Sequence, residues 1–589
     1  LVMIVLFYLL KCAFVKTYGV RHCIFLTHGN YPSKFTYLIY KYLQSANLIN
    51  KKGGHLMSDK AKGKLSLVGL CLMIFTSVYG FNNIPRAFYM MGYAAIPWYI
   101  VGGLFFFLPF AFMVTELGSA FKEEKGGIYS WMEKAVGPTF AFVGTFMWYA
   151  SYLVWMVNVS NGIMVPITNM IFGNSLHVPD PWILSIFAMI WVAGITFFAL
   201  RGLDAVKKFA TVGGIAVLSL NAILLVCALL VLILNGHPTT PITAEAFVTS
   251  LNPNFNNGSA IGFIAFMVFA IFAYGGVEAV GGLVDETDEP EKNFPRGVVT
   301  SALIIAIGYA VMILCVGFFM NYQSGGAFYE GVKAGTINLG NAGYVTMQYL
   351  GEALGDAFGM SHSGAVVIGS ILARYMGLAM LLSLMGAFFT LIYSPVKQII
   401  SGTPDKLWPG RYGQLDKESG MPKFAMVIQF VIVFVIILLN MLINLGGGAE
   451  VAAKFFAILT NMANVAMTLP YLFIVIAYAK FKLNDNIEKP FTLYKSKGVA
   501  MAAVAVTFLV VAFANAFTVI QPITDYFALP VAARSAVLGD TIQTVVSMIA
   551  GPVIFGLVAF FMMNRYKKRY PAEYASLTDL SEDELSNGK

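Results

Sequence analysis

Twelve apolar runs, most of them long enough to cross roughly 30 Å of hydrocarbon as helix, constrain this chain more than any other feature. They lie near 65–90, 94–119, 140–171, 181–200, 208–234, 259–284, 297–320, 365–395, 422–445, 452–479, 498–520 and 546–564. Backbone inside lipid must satisfy its own N–H and C=O groups, so continuous apolar runs of this length fold as helices. The expected fold is an all-α polytopic membrane protein with 12 transmembrane helices. Composition agrees: 58% of residues are hydrophobic and 12% charged, about half the charged share of a water-soluble domain.

Connecting segments sort their charge by side. Lys60, Lys62, Lys64, Lys122, Lys125, Arg201, Lys207, Lys208 and the Arg565–Arg569 cluster fall on one side, with Lys397, Lys406 and Lys423. The other side holds little beyond Arg86, Lys333, Lys454 and Arg534. Positive charge stays in the cytoplasm, so both termini are expected there. Arg374, 21 residues before Pro395, reaches the opposite interface if Pro395 ends its helix. It then snorkels there; the other reading is a functional charge within the membrane.

The formal net charge of +8 does not imply a nucleic-acid partner. Residues 1–56 carry seven Lys or Arg and no acid; the rest holds 31 basic against 30 acidic residues, a net +1. That segment is expected to be translated upstream DNA. Met57-Ser58-Asp59-Lys60 reads as a start, and the codons of Lys51-Lys52-Gly53-Gly54 can encode a ribosome-binding site. A true leader is the alternative, since Leu1–Leu10 is apolar. The membrane-spanning body is then 57–566, followed by a cytoplasmic tail over 567–589 whose acids suit disorder.

Five cysteines without a CxxC pair and six scattered histidines form neither a zinc site nor a disulfide framework. No GxxxxGK[ST] loop is present. No catalytic constellation, metal or cofactor is expected, and an enzyme is disfavoured.

Two runs are interrupted in the middle. The first reads Thr76-Ser77-Val78-Tyr79-Gly80-Phe81-Asn82-Asn83-Ile84-Pro85; the sixth reads Phe272-Ala273-Tyr274-Gly275-Gly276-Val277-Glu278-Ala279. Pro85 suits the first turn of a new half-helix, with Asn83 as a cap. Irregular backbone at this depth is tolerated where it lines a cavity, although glycines also permit close helix packing. Breaks in corresponding positions of two five-span halves point to an inverted-repeat secondary transporter. N–H groups after Gly80 and Gly276 would meet a carboxylate, and carbonyls before them an ammonium. An amino acid presents that pair. The expected substrate site is Ser77, Val78, Tyr79, Gly80, Asn82, Phe272, Ala273, Tyr274, Gly275 and Gly276. Glu278 beside the break can bind a proton reversibly or form a structural hydrogen bond.

Over roughly residues 60–566 the chain resembles the glutamate/γ-aminobutyrate antiporter family of the amino acid–polyamine–organocation superfamily. The resemblance rests on Gly126-Gly127-Ile128-Tyr129-Ser130-Trp131, Val136-Gly137-Pro138, Ala273–Ala279, Asp285-Glu286-Thr287 and Pro290–Pro295. Met73–Val78 and Phe388-Phe389-Thr390-Leu391 with Tyr393-Ser394-Pro395 are most similar to YjeM-type inner-membrane permeases. It implies a five-plus-five inverted repeat (about 65–234 and 259–480) with extra helices over about 498–564, a bacterial inner-membrane location, and amino-acid exchange or proton-coupled uptake. It further implies an aromatic gate at Phe272 and proton coupling or pH sensing at Glu278. The partners implied are an amino acid, lipid and protons, with no indication of oligomeric state. A non-transporting amino-acid sensor on the same fold is the alternative.

Ala387 stands where antiporter relatives can carry a carboxylate, with Ser383 and Thr390 nearby, so substrate charge does not transfer. Lys207 and Lys208 are read as preceding span five, leaving no lysine within it. Asn461, Asn464 and Thr468 share a helical face, to line a pathway or to bond across helices. Residues 120–138 are expected to hold an amphipathic helix. The acidic segment 285–295 reads as a solvated cap on span six, and 321–364 as a long Gly-rich outer connection.

Overall fold

The computed structural model describes residues 64–173, 180–417, 419–446 and 448–577. The expected leader over 1–56 and the acids Asp579, Glu582, Asp583 and Glu584 lie outside the described residues. Within them the chain is helical, and the one extended pairing is an isolated parallel bridge between Leu65 and Thr287.

The first half comprises α1 (Leu67–Val78), α2 (Asn83–Met91), α3 (Ala95–Gly102), α4 (Leu108–Ala120), α5 (Ile128–Val136), α6 (Pro138–Asn161), α7 (Met164–Phe172), α8 (Pro181–Ala199) and α9 (Leu203–Asn235). The remainder comprises α10 (Ala260–Phe272), a 3-10 segment Val277–Leu283, α11 (Pro290–Phe319), α12 (Ala327–Lys333), α13 (Ala342–Ala357), α14 (His362–Gly402), α15 (Lys423–Leu445), α16 (Ala449–Thr468), α17 (Pro470–Leu483), α18 (Lys497–Ala528) and α19 (Val531–Arg569). Among the described residues, 11 helical stretches are long and apolar enough to span a membrane. The count differs from twelve because Leu67–Ala120, 54 residues, counts once; the first two expected spans are joined by a short 3-10 turn, Gly92–Ala94, instead of a polar loop.

Outward-facing side chains are apolar. Leu509 is 66% exposed and Ile233 72%, which water would penalise and hydrocarbon would not. Inside, helices approach closely at small residues. At the crossing of α9 and α14, a β-carbon on Gly213 would lie 3.1 Å from the Gly386 Cα, the small-residue contact that lets membrane helices pack without a hydrophobic driving force.

Several boundaries depart from the sequence reading. α14 runs through Pro395 to Gly402, so Pro395 does not end it. Arg374 is exposed and caps the C-terminus of α7, donating to the Ile171 carbonyl at 2.6 Å and the Phe172 carbonyl at 3.4 Å. A cation among terminal carbonyls is favoured by their partial negative charge. The connection 321–364 contains α12 and α13, and α13 packs along α14. α19 begins at Val531, fifteen residues before the apolar run. α9 begins at Leu203, so Lys207 lies inside it; its shielded Nζ has no hydrogen-bond partner among the described residues.

Candidate functional site: two interrupted helices and their seal

The expected interruption of the first apolar run falls between α1 and α2, at Tyr79–Asn82. That of the sixth falls between α10 and the 3-10 segment, at Ala273–Gly276. Gly276 adopts φ 117°, open to glycine and strained for other residues. A β-carbon there would stand 2.6 Å from the Ser77 carbonyl oxygen. The second break therefore packs against the last turn of α1, beside the first break, and glycine permits it.

The sites named from sequence divide into two groups. Gly80 is exposed, and Ser77, Asn82, Phe272, Ala273 and Gly275 are half-buried. Val78, Tyr79, Tyr274 and Gly276 are buried. The Tyr274 ring stacks on Phe107 at 4.8 Å, and its hydroxyl donates to the Tyr99 carbonyl at 3.0 Å. The Tyr79 ring meets Tyr309 edge-on at 4.8 Å. Asn82 abuts Gly343 of α13, where a β-carbon would collide with its side chain. Asn83 does not cap α2; its amide reaches Tyr309 and the Ala273 carbonyl instead.

The N–H groups of Gly80 and Gly276 themselves have protein partners; the donors expected from sequence are those that follow them. Gly80 N–H donates to the Tyr309 hydroxyl at 3.1 Å, and Gly276 N–H to Glu278 Oε2 at 3.1 Å. The next two, of Phe81 and Asn82, have no partner among the described residues. They are the free donors at the start of α2.

Glu278 is fully buried. Its Oε1 accepts from Trp148 Nε1 at 3.0 Å and from the hydroxyls of Tyr152 and Tyr471, each at 3.3 Å. The carboxyl thus ties the second break to α6 and α17 without a Lys or Arg among these partners. Trp148, Tyr152, Tyr471 and Tyr309 carry no sequence signal of their own in a chain with 29 tyrosines.

At the Lys397 end of the bundle the same break is sealed. Lys397 Nζ donates to Asp285 Oδ1 and Oδ2 at 2.8 and 2.9 Å, to Glu286 Oε1 at 2.9 Å and to the Gly282 carbonyl at 3.2 Å. Asp285 and Glu286 are thus ion-paired, where the sequence suggested a solvated face. Burial holds the Asp285 carboxyl above the usual carboxylate range, while Lys397 pulls it back down. Ser394 and Gln398 both donate to the Ala279 carbonyl. Gln398 Oε1 accepts from Ile128 N–H at 2.9 Å, which brings the expected amphipathic helix α5 into the seal. Leu65 completes it through backbone bonds with Glu286 and Asp288.

Nearby, Glu116 is fully buried and accepts from Lys482 at 2.7 Å, Tyr478 at 2.9 Å and the N–H groups of Leu493 and Tyr494. This pins the 484–496 connection beneath α4. Thr468 bonds across to Asn515 of α18 at 2.6 Å, while Asn461 is half-buried and Asn464 exposed. Ser383 and Thr390 are both buried, and Thr390 bonds back to the Gly386 carbonyl within α14. No group of three His, Cys, Asp or Glu among the described residues could hold a metal ion.

A bundle of membrane-length helices whose interrupted backbones meet internally is the architecture of a small-molecule permease. The model of the amino acid permease family matches residues 65–539, and the chain belongs to that family. It is a membrane permease and not an enzyme. The inner membrane transporter YjeM of Salmonella typhimurium is 45% identical over 518 residues, covering 87% of this chain and 98% of that protein. The aspartate/glutamate permease AcaP of Lactococcus lactis is 22% identical over 499 residues, 83% and 94% of the two chains. A glutamate/gamma-aminobutyrate antiporter of the same species is 27% identical over 257 residues, 44% and 48%.

Proposed function

We propose that this chain is a secondary active amino-acid transporter of the bacterial inner membrane, working by alternating access with the substrate held at the two breaks. The observation that carries the reading is the close approach of Gly276, in the second interruption, to Ser77 in the last turn of α1 beside the first. Unpaired donors at Phe81 and Asn82 suit an α-carboxylate, and the carbonyls at the end of α1 suit an α-ammonium. Family membership and the names of the relatives agree with it.

In this reading the membrane is crossed twelve times. The stretch Leu67–Ala120 would extend about 81 Å as straight helix, more than twice the hydrocarbon thickness, which supports two crossings. Two five-span halves, each opening with a broken helix, then form an inverted repeat followed by α18 and α19. Charge sorting supports cytoplasmic termini and makes the Lys397 seal the inner gate. The structure then represents the state closed toward the cytoplasm.

Purified protein in liposomes, assayed for uptake of single labelled L-amino acids, tests the reading. Flux that requires internal amino acid identifies exchange of the glutamate/γ-aminobutyrate kind; flux driven by a pH gradient identifies proton-coupled uptake. Saturable binding without flux of any amino acid refutes transport and leaves a sensor. Glu278 is the proposed proton site: Glu278→Gln is expected to flatten the pH profile of uptake, and an unchanged profile removes that role.

A further inference from the structure

We infer that Tyr309, in the middle of α11, is the positioning residue that holds the two breaks in register for the substrate. This rests on the breaks being the substrate site.

The hydroxyl of Tyr309 lies within hydrogen-bond reach of both interruptions. It stands 3.1 Å from Gly80 N, 3.2 Å from Asn83 Nδ2, 3.2 Å from the Ala273 carbonyl oxygen and 3.4 Å from the Val78 carbonyl oxygen. A tyrosine hydroxyl has one proton to donate and accepts in return. Gly80 N–H and the Asn83 amide supply its acceptor bonds, and its one proton serves the nearer carbonyl, that of Ala273. One oxygen atom therefore bonds a donor of the first break while bonding an acceptor of the second.

Its placement is rigid. The ring is fully buried and wedged among Tyr79, Tyr99 and Tyr274, with centroids 4.8, 5.1 and 5.1 Å away. Gly308 beside it lacks a β-carbon where one would stand 2.7 Å from the Tyr79 hydroxyl, so the aromatic set closes around the hydroxyl.

Tyr309 is also more deeply buried than the breaks it bonds. It is shut off from solvent, whereas Gly80 is exposed and Ser77, Ala273 and Gly275 are half-buried. The hydroxyl supports the backbone from the buried interior, and the more exposed groups of the breaks remain for the substrate. Positioning of this kind acts on the α-carboxylate and α-ammonium that every amino acid shares, and is indifferent to the side chain.

The test compares wild type with Tyr309→Phe, which keeps the ring and deletes the oxygen. Initial rates in liposomes are measured for each labelled L-amino acid that wild type carries, with thermal stability of both proteins in detergent. The expected result is KM raised about tenfold, equal to about 1.4 kcal/mol, with maximal rate within about twofold. The rise should be alike for amino acids of different side chains, and stability should change little. KM within about twofold of wild type, a rise confined to one side-chain class, or loss of maximal rate at unchanged KM each overturn the inference. If wild type neither carries nor binds any amino acid, the underlying reading fails first. A working wild type with an indifferent Tyr309→Phe variant sinks this inference alone.

Discussion

Replacing Lys397 with Met tests whether the proposed inner seal is electrostatic. The change keeps an apolar side chain of similar length on α14 and removes the ammonium. Lys397 is 3% exposed by its side chain, and its partners Asp285 and Glu286 are 16% and 25% exposed. Removing one member of a fully buried pair costs about 3–5 kcal/mol, because the remaining charge is left uncompensated. Here water reaches both carboxylates in part, and burial raises the Asp285 carboxyl, which lessens the charge left behind. The cost to the sealed state is therefore about 2 kcal/mol, which corresponds to roughly a 30-fold shift toward the open state. The reporter is Ser394→Cys in a background where the native cysteines are Ser, because Ser394 is buried in the seal against the Ala279 carbonyl. Its labelling by a membrane-impermeant thiol reagent is followed in inside-out vesicles. Lys397→Met should accelerate labelling about 30-fold at pH 8, and less at a lower pH, because burial raises the Asp285 carboxyl and its protonation removes the uncompensated charge. Labelling within threefold of the Lys397 parent at both pH values would refute the electrostatic seal.

Two further variants probe other parts of the fold. Gly276→Ala forces a β-carbon into the φ 117° backbone and against Ser77, a strain of about 1–2 kcal/mol before the collision is counted. Liposome uptake should fall at least tenfold while the protein still inserts; wild-type uptake would contradict the close approach of Gly276 to Ser77. Glu133, on α5 outside the membrane stretches, is pushed up to about 7 from the ordinary 4.5 by burial, against the opposing pull of Tyr129 and Lys134. The folded state therefore binds more protons than the unfolded state between these values, so stability falls as pH rises from about 4.5 to 7 and then levels. Glu133→Gln should remove that part of the decline in melting temperature, and an unaltered slope would count against it.

The interrupted helices were legible in one dimension because each breaks an apolar run with residues that disfavour continued helix. Gly80, Asn82 and Asn83 interrupt the first, and Gly275 with Gly276 the sixth. The same logic misled at Pro395: the tertiary surroundings carry α14 past it, an outcome open to membrane helices whose neighbours re-satisfy the freed backbone groups. Hydropathy also passed over α13 and the first fifteen residues of α19. Their polar positions, such as Gln348 and Glu352 or Arg534 and Asp540, dilute the apolar signal.

What the sequence alone determined is the solvent and the secondary structure: a chain this apolar, in runs this long, must fold as membrane helices, with marked weak points in two of them. What only the tertiary structure decided is which side chains answer those weak points. Tyr309 is 229 residues from Gly80, Trp148 is 130 from Glu278, and Lys397 is 112 from Asp285. Hydrogen bonds and ion pairs act over a few ångströms whatever the separation along the chain. Among so many aromatic residues, nothing in local spacing tells a tyrosine that packs from one that spans two broken helices.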